Sequence, residues 1–358
     1  MIILFLTFIY CTFLAIYIYM GTSLPKPKKD KAYIRCTFII LVLVHGLVDP
    51  DSLPDIEVYE AVFDRLANKP ISAVLTDIYE SDYGENFEVG YKMVLSIVSK
   101  LWHNISFFLF LNSIAFCFLY YYFFKKYSPL FGVSVILFLL VPFNQSLFVL
   151  RQHLSVALIL LSYPYILERK LLKFTCIIFL SSLLHLSSFI FFPVYFIYGI
   201  NGKKRLLAIY AISIIMCIGI RVILPLFAAL MANSERYSGY AENAEIGVGS
   251  RGIIMLLVLI VYFWVLKRKV FYSGINRLVL VISAWGTLIA LTLGNAGAGR
   301  LFLCFNIILL IQIPITISYI RNRAIRYLYA FSTVLALAFF AYVLSVDAGI
   351  LEEMEYIL

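Results

Sequence analysis

Long uncharged runs alternate with short polar breaks along almost the whole chain. Apolar windows fall at residues 2–20, 33–48, 105–124, 130–149, 152–167, 206–224, 252–266, 278–293, 301–319 and 327–346. Each approaches or reaches the roughly 20 residues (about 17–25) that a helix needs to cross hydrocarbon. Residues 171–200 are also apolar. As one helix they would measure about 45 Å, too long for one crossing. Two short helices meeting near His185 fit better, as a helical hairpin over 171–200. The expected architecture is therefore an all-α polytopic integral membrane protein of about twelve passes, a single membrane domain over 1–358.

Three stretches break the pattern. The loop at 49–104 holds Ser52-Leu53-Pro54-Asp55, in the form of a capping box, followed by Ile56, Tyr59, Phe63 and Leu66 at helical spacing. Phe87 to Trp102 repeats that spacing with Tyr91, Val94, Leu95 and Val98, but carries Glu88, Lys92 and Lys100. It reads as an amphipathic helix at the membrane surface rather than a span. A second polar loop covers 225–251, and a third, Gly294-Asn295-Ala296-Gly297-Ala298-Gly299-Arg300, consists of small residues ending in arginine. The first run has no basic leader and no small-residue cleavage site, so it reads as a span and not a signal peptide.

Composition agrees: 63% of residues are hydrophobic and 14% charged, a balance that places the chain in a bilayer. The net charge of +9 does not indicate nucleic acid, because the basic residues sit in small groups between spans, as topology requires. With the 26–35 loop in the cytoplasm, 20 of the 29 lysines and arginines fall inside, and all acidic residues except Asp30 and Glu168 fall outside. Both termini are then external. The six cysteines each lie alone in apolar runs and read as small core residues, without metal-ligand spacing or a disulfide framework.

Against that trend, Arg151, Arg221, Arg251 and Arg300 stand at external ends of spans. One such arginine is an ordinary snorkelling anchor; several at one depth suggest a cationic pocket. Arginine suits a lipid-linked phosphate because its planar fork binds phosphate oxygens bidentately and keeps its proton. The glycines before Arg300 would let backbone amides approach an anion, or form an ordinary turn. His185 lies in Leu183-Leu184-His185-Leu186-Ser187. It is either a hydrogen-bonded core residue or, as an ionisable group at membrane depth, part of a site, where histidine suits general-base duty. Residues 49–88 hold eleven carboxylates. They form a solvated face, or supply acceptors for sugar hydroxyls, with Tyr59, Tyr79, Tyr83 and Tyr91 as stacking surfaces. Asp55 and Glu88 are candidate bases.

Several short pieces in order resemble the EpsG/Wzy group of bacterial polysaccharide polymerases. They are Asp55-Ile56-Glu57-Val58-Tyr59, Phe87-Glu88-Val89-Gly90-Tyr91, Arg151-Gln152-His153-Leu154-Ser155, Leu184-His185-Leu186-Ser187-Ser188, Arg236-Tyr237 with Tyr240, and Gly299-Arg300. The sequence departs from the group at Val89, where proline is usual, and at His153, where an aliphatic residue is common. The resemblance implies a GT-C-like glycosyltransferase bundle in the bacterial cytoplasmic membrane, with external amphipathic helices and an outward-facing active site. It implies inverting transfer between oligosaccharide units on undecaprenyl diphosphate, without metal or cofactor. A flippase and a chain-length regulator would be further partners. On this reading His185, Glu88 and Asp55 are the catalytic candidates, and Arg151, Arg300, Arg236 and Arg221 hold the diphosphate. Gln152, His153, Tyr91, Tyr237 and Tyr240 meet the rest of the substrate. An O-antigen ligase shares this chemistry. A lipid-linked oligosaccharide flippase should show internal repeats with matched broken helices, which this sequence lacks. A membrane O-acyltransferase would use His185 from the cytoplasmic side, opposite to its expected placement.

Overall fold

The computed structural model describes residues 2–53, 56–74, 87–200, 250–267 and 274–347, with isolated positions from 210 to 219 and at 269. The chain divides into two compact units. One comprises Met1–Leu160, Leu183–His185 and Ile320–Leu358; the other comprises Leu161–Ser182 and Leu186–Tyr319. Among the described residues there is no β-strand.

The first unit opens with α1 (Ile2–Gly21) and α2 (Lys26–Gly46). The basic segment 26–35, expected as a loop, is helical and forms the first ten residues of α2. Pro25 caps it in extended conformation and Pro27 occupies an early position, where a missing amide costs nothing. Next come α3 (Ile56–Ala67), α4 (Ile71–Val74) and α5 (Val89–Leu101). The helical spacing read from sequence is realised, since Ile56, Tyr59, Phe63, Leu66, Tyr91, Leu95 and Val98 are all buried. These helices pack on each other and on Phe108, Leu147 and Leu150 of the neighbouring spans. Each such large apolar side chain contributes about 1.5–3 kcal/mol relative to exposure.

α6 (Ile105–Tyr127) starts where the Asn104 side chain accepts from the Phe107 amide at 3.0 Å, and ends in Lys125 and Lys126, a cap and a charge matched to the helix dipole. α7 (Phe131–Phe138) runs through a π turn, Leu139–Phe143, into α8 (Asn144–Phe148). Pro142 lies in that turn; having no amide to donate, it disrupts regular α-helical pairing. The helix stops at Val149 (φ −133°, ψ 60°), and α9 (Leu150–Ile159) begins in a new direction.

The second unit contains α10 (Tyr163–Leu167), α11 (Leu171–Leu184, of which the last two residues belong to the first unit), a 3-10 turn at Leu186–Phe191, and α12 (Pro193–Tyr198). His185 is the non-helical residue between two short helical segments. Further on lie α13 (Ser250–Leu266), α14 (Gly274–Asn306) and α15 (Leu309–Tyr319). The backbone pattern of α14 stays helical for 33 residues, where sequence predicted a glycine-rich loop. A straight helix would separate residues 286 and 305 by about 28 Å. Yet a Cβ built at Gly286 would lie 2.5 Å from the Phe305 Cβ. The Ser283 hydroxyl donates to Gln312 Oε1 at 2.6 Å, and Asn276 Nδ2 reaches the Tyr319 hydroxyl at 3.5 Å. These three pairs run antiparallel and centre the reversal at about residues 296–298, inside the small-residue segment. α16 (Arg323–Asp347) belongs to the first unit.

Five segments among the described residues are long and apolar enough to cross a membrane: Ile3–Gly21, Ile105–Tyr127, Phe131–Phe148, Gly274–Leu291 and Leu301–Tyr319. Shorter apolar helices lie at Leu171–Leu184, Leu186–Tyr198 and Gly252–Leu266. The protein is a polytopic, all-helical membrane protein. The window at 206–224, the loop at 225–251 and Cys217 fall outside the described residues.

The hairpin makes a direct prediction. Gly286→Ala pushes a methyl into Phe305 and should cost about 1–3 kcal/mol. Gly21→Ala, whose methyl meets only Tyr17 at 3.5 Å, should stay within about 0.5 kcal/mol. The check is survival of detergent-purified protein across a temperature series; equal midpoints would show that the arms do not close at Gly286.

Candidate functional site

Glu88 precedes the first helical residue of α5, and its side chain makes no capping bond to that helix. Its carboxylate instead joins two segments distant in sequence. Oε2 accepts from Arg151 Nη1 at 3.1 Å, and Oε1 lies 2.8 Å from His185 Nδ1. The side chains are 11% (Arg151), 20% (Glu88) and 15% (His185) exposed, so the group opens only narrowly to its surroundings. A carboxylate at a helix N-terminus also meets the favourable end of the helix dipole.

Each partner is placed by a break in helical structure. Arg151 sits in the first turn of α9, just after the chain turns at Val149. His185 follows the last residue of α11. Gly90 brings α5 close to this second break: a Cβ there would lie 2.7 Å from both the Cβ and the carbonyl oxygen of Leu183. Backbone contact that tight fixes the distance from Glu88 to His185.

Aromatic rings form the floor. The Arg151 guanidinium carbon lies 4.1 Å from the Phe87 ring centroid and 5.9 Å from that of Tyr59, both within cation–π range. Its Nε donates to the Tyr59 hydroxyl at 3.4 Å. Tyr59, Phe87 and Tyr91 pack with centroids 5.0, 5.9 and 5.8 Å apart, and Tyr91 continues to Phe108 at 6.0 Å.

Burial raises the Glu88 pKa, but contact with His185 and the positive charge of Arg151 outweigh it, and the net shift is downward. Glu88 is therefore a carboxylate held ionised. The Tyr91 phenol moves the other way, pushed well above its ordinary value by burial, and among the described residues its hydroxyl has no hydrogen-bond partner.

Of the residues singled out in sequence, Glu88, Arg151 and His185 are brought together. Tyr91, Gln152 and His153 are fully or almost fully buried and offer no surface to a sugar; Tyr91 supports the floor. His153 turns inward, with Nδ1 3.1 Å from the Val149 carbonyl oxygen and its ring against Phe116. Asp55, Arg221, Arg236, Tyr237 and Tyr240 lie outside the described residues, as does the side chain of Arg300. Sequence reasoning missed Phe87 as the platform for Arg151; its position beside Glu88 was the available signal.

A pH dependence follows from the depressed Glu88 pKa. A carboxylate with a lowered folded-state value stabilises the fold above its unfolded pKa, about 4.3 for glutamate, and that contribution is lost as pH falls through the folded value. The stability difference between wild type and Glu88→Gln should therefore be constant above about pH 5 and shrink on acidification below about 4.3. Melting both proteins across that range checks it; a difference that widens toward acid would reverse the assignment.

Searches against curated proteins and against solved structures return no match. A family model described as "EpsG family" matches residues 31–358. That span covers the aromatic floor, Glu88, Arg151, His185, the second unit and the first unit from residue 31 onward, and by it the chain belongs to the EpsG family.

Proposed function

We propose that this protein is a polysaccharide polymerase that joins oligosaccharide repeat units carried on undecaprenyl diphosphate, at the external face of the bacterial cytoplasmic membrane. Family membership supports the polymerase-type role. The observation that carries the chemical reading is the bridging of Arg151 and His185 by one buried carboxylate.

With the proton placed on Nδ1, 2.8 Å from Glu88 Oε1, the lone pair for proton transfer is on Nε2. This is the arrangement by which a carboxylate orients an imidazole as general base. The acceptor sugar's hydroxyl gives its proton to Nε2 while its oxygen forms a bond to the anomeric carbon of the donor unit. The bond from that carbon to the diphosphate breaks, its electron pair leaves with the diphosphate, and the anomeric centre inverts. Glu88 then stabilises the imidazolium, which later loses its proton to water. Arg151 keeps Glu88 ionised and adds positive potential near the leaving group, with Arg300, Arg221 and Arg236 as further diphosphate contacts. Preorganised charge of this kind supplies a large share of many rate accelerations. Asp55 is a second external carboxylate, Tyr237 and Tyr240 are external stacking surfaces, and Gln152 and His153 set the position of Arg151 from within α9.

The reading requires a twelve-pass GT-C-like bundle with 26–35 inside. Cysteines introduced at Ser81 and Asn243 should react with an impermeant thiol reagent in intact cells, and one at Lys204 should not. Labelling at Lys204 would overturn the orientation.

His185→Gln and Glu88→Gln should each cut polymer formation by about 10²–10⁴-fold at normal membrane levels, with single lipid-linked units accumulating on the outer leaflet. Units retained on the cytoplasmic leaflet would mean a flippase instead. Arg151→Lys cannot both lie flat on Phe87 and fork to Glu88 and Tyr59, and should cost roughly ten- to a hundred-fold. Arg323→Lys, on the exposed start of α16, should change little. Full activity of Arg151→Lys would reduce Arg151 to a membrane anchor.

A further inference from the structure

A cavity of about 490 Å³ opens far along the sequence from the Glu88 group, where α1 meets the start of α7. Its volume falls within the range of small-molecule sites. One wall is a single face of α1, with Thr12, the pair Ala15 and Ile16, and Tyr19 on successive turns; the other includes Val133 and Ile136. At one end stand Lys26 and Lys29, on the first turn of α2.

Both lysines are anchored by main-chain acceptors. Lys26 Nζ donates to the Pro129 carbonyl at 2.6 Å and Lys29 Nζ to the Tyr19 carbonyl at 2.9 Å. An ammonium has three donors, so each anchor leaves two for another ligand. Lys28 and Lys31 flank the pair, and the one nearby carboxylate, Asp30, accepts from the Tyr19 hydroxyl at 2.7 Å. The local balance is strongly cationic. The opposite side of α1 turns large apolar side chains outward, with Phe13 68% and Tyr17 67% exposed, as suits a helix lying against lipid.

An apolar slot at a membrane helix, closed at one end by fixed ammonium groups, matches an amphiphile with an apolar chain and an anionic head. We propose that this cavity binds an anionic phospholipid, with an acyl chain along α1 and the phosphate on Lys26 and Lys29. Such a lipid would tie α1, α2 and α7 together at the membrane surface, independently of the chemistry assigned to Glu88 and His185.

The test is native mass spectrometry of the full-length protein in mild detergent, titrated with phosphatidylglycerol or with phosphatidylcholine of the same chain length. Wild type should retain phosphatidylglycerol about ten- to thirtyfold better, as two lysines near an anionic head predict. Lys26→Gln with Lys29→Gln should erase that preference. Val133→Trp, at a half-buried wall position, should reduce retention of both lipids by filling the slot. If that variant fails to fold, the surface lysine variant decides alone. Equal retention of the two lipids by wild type, or an undiminished preference in the glutamine variant, would overturn the proposal. So would preferential displacement of phosphatidylglycerol by undecaprenyl phosphate, which would assign the cavity to the lipid carrier. If Val133→Trp dissociated a dimer without altering lipid retention, the face would be a contact between copies.

Discussion

A guanidinium and a carboxylate, both largely withdrawn from water, must neutralise each other. Taking either alone into a low-dielectric setting costs several kcal/mol, so Arg151 and Glu88 cannot be placed independently. That requirement organises much of the first unit. It ties the start of α5 to the start of α9, and places His185, after the end of α11, on the carboxylate's second oxygen. The pair gains little net stability as an ion pair. Its value lies in position: one carboxylate oxygen meets Arg151 and the other lies beside His185, with Phe87 and Tyr59 flanking the guanidinium.

The breaks in helical structure serve that geometry. A π turn carrying Pro142, the irregular Val149 and the non-helical His185 all interrupt segments that are otherwise apolar and regular. Regular helices would bury their backbone groups and point side chains at fixed angles onto neighbours. Interrupted ones free a residue to turn sideways. In a bilayer such irregularity survives only where protein or a polar cavity satisfies the backbone; two of these breaks, Val149 and His185, adjoin the charged group.

Sequence periodicity carried most of the helical layout because burial in hydrocarbon leaves few alternatives to helix. Tyr59, Tyr91 and Leu95 at helical spacing told which faces of α3 and α5 pack inward, and His185 emerged as a break from helix length alone. Pairing was not legible. Arg151 read as a phosphate ligand because an isolated arginine at a helix end carries no sign of its counter-ion, and Glu88 lies 63 residues away. Tyr91 reads in sequence as a stacking surface for sugars, and Gln152 and His153 as substrate contacts through the resemblance. Adjacency along a helix, however, turns side chains about 100° apart, so Gln152 and His153 face the core while Arg151 does not. The glycine content of Gly294–Arg300 signals a turn, and the antiparallel pairing of Ser283 with Gln312 and of Gly286 with Phe305 requires the chain to reverse between them; which residues the two arms bring together is a tertiary fact that composition does not carry.

The sign of the Glu88 shift bears on which group does the chemistry. A carboxylate held ionised by a cation on one oxygen and an imidazole on the other is a poor proton acceptor, because each contact that lowers its pKa also weakens it as a base. The same contacts make it a good partner for an imidazole that must become positive during reaction, since a fixed negative charge already stands beside Nδ1. Arg151 sets the limit. On the proposed reading its charge restrains Glu88 from taking the proton outright, so the carboxylate would orient and stabilise while Nε2 of His185 is left as the position for transfer. On that argument the direction of one carboxylate's shift, taken with the two distances at its oxygens, favours histidine as base over glutamate, a division of labour that residue identities alone leave open.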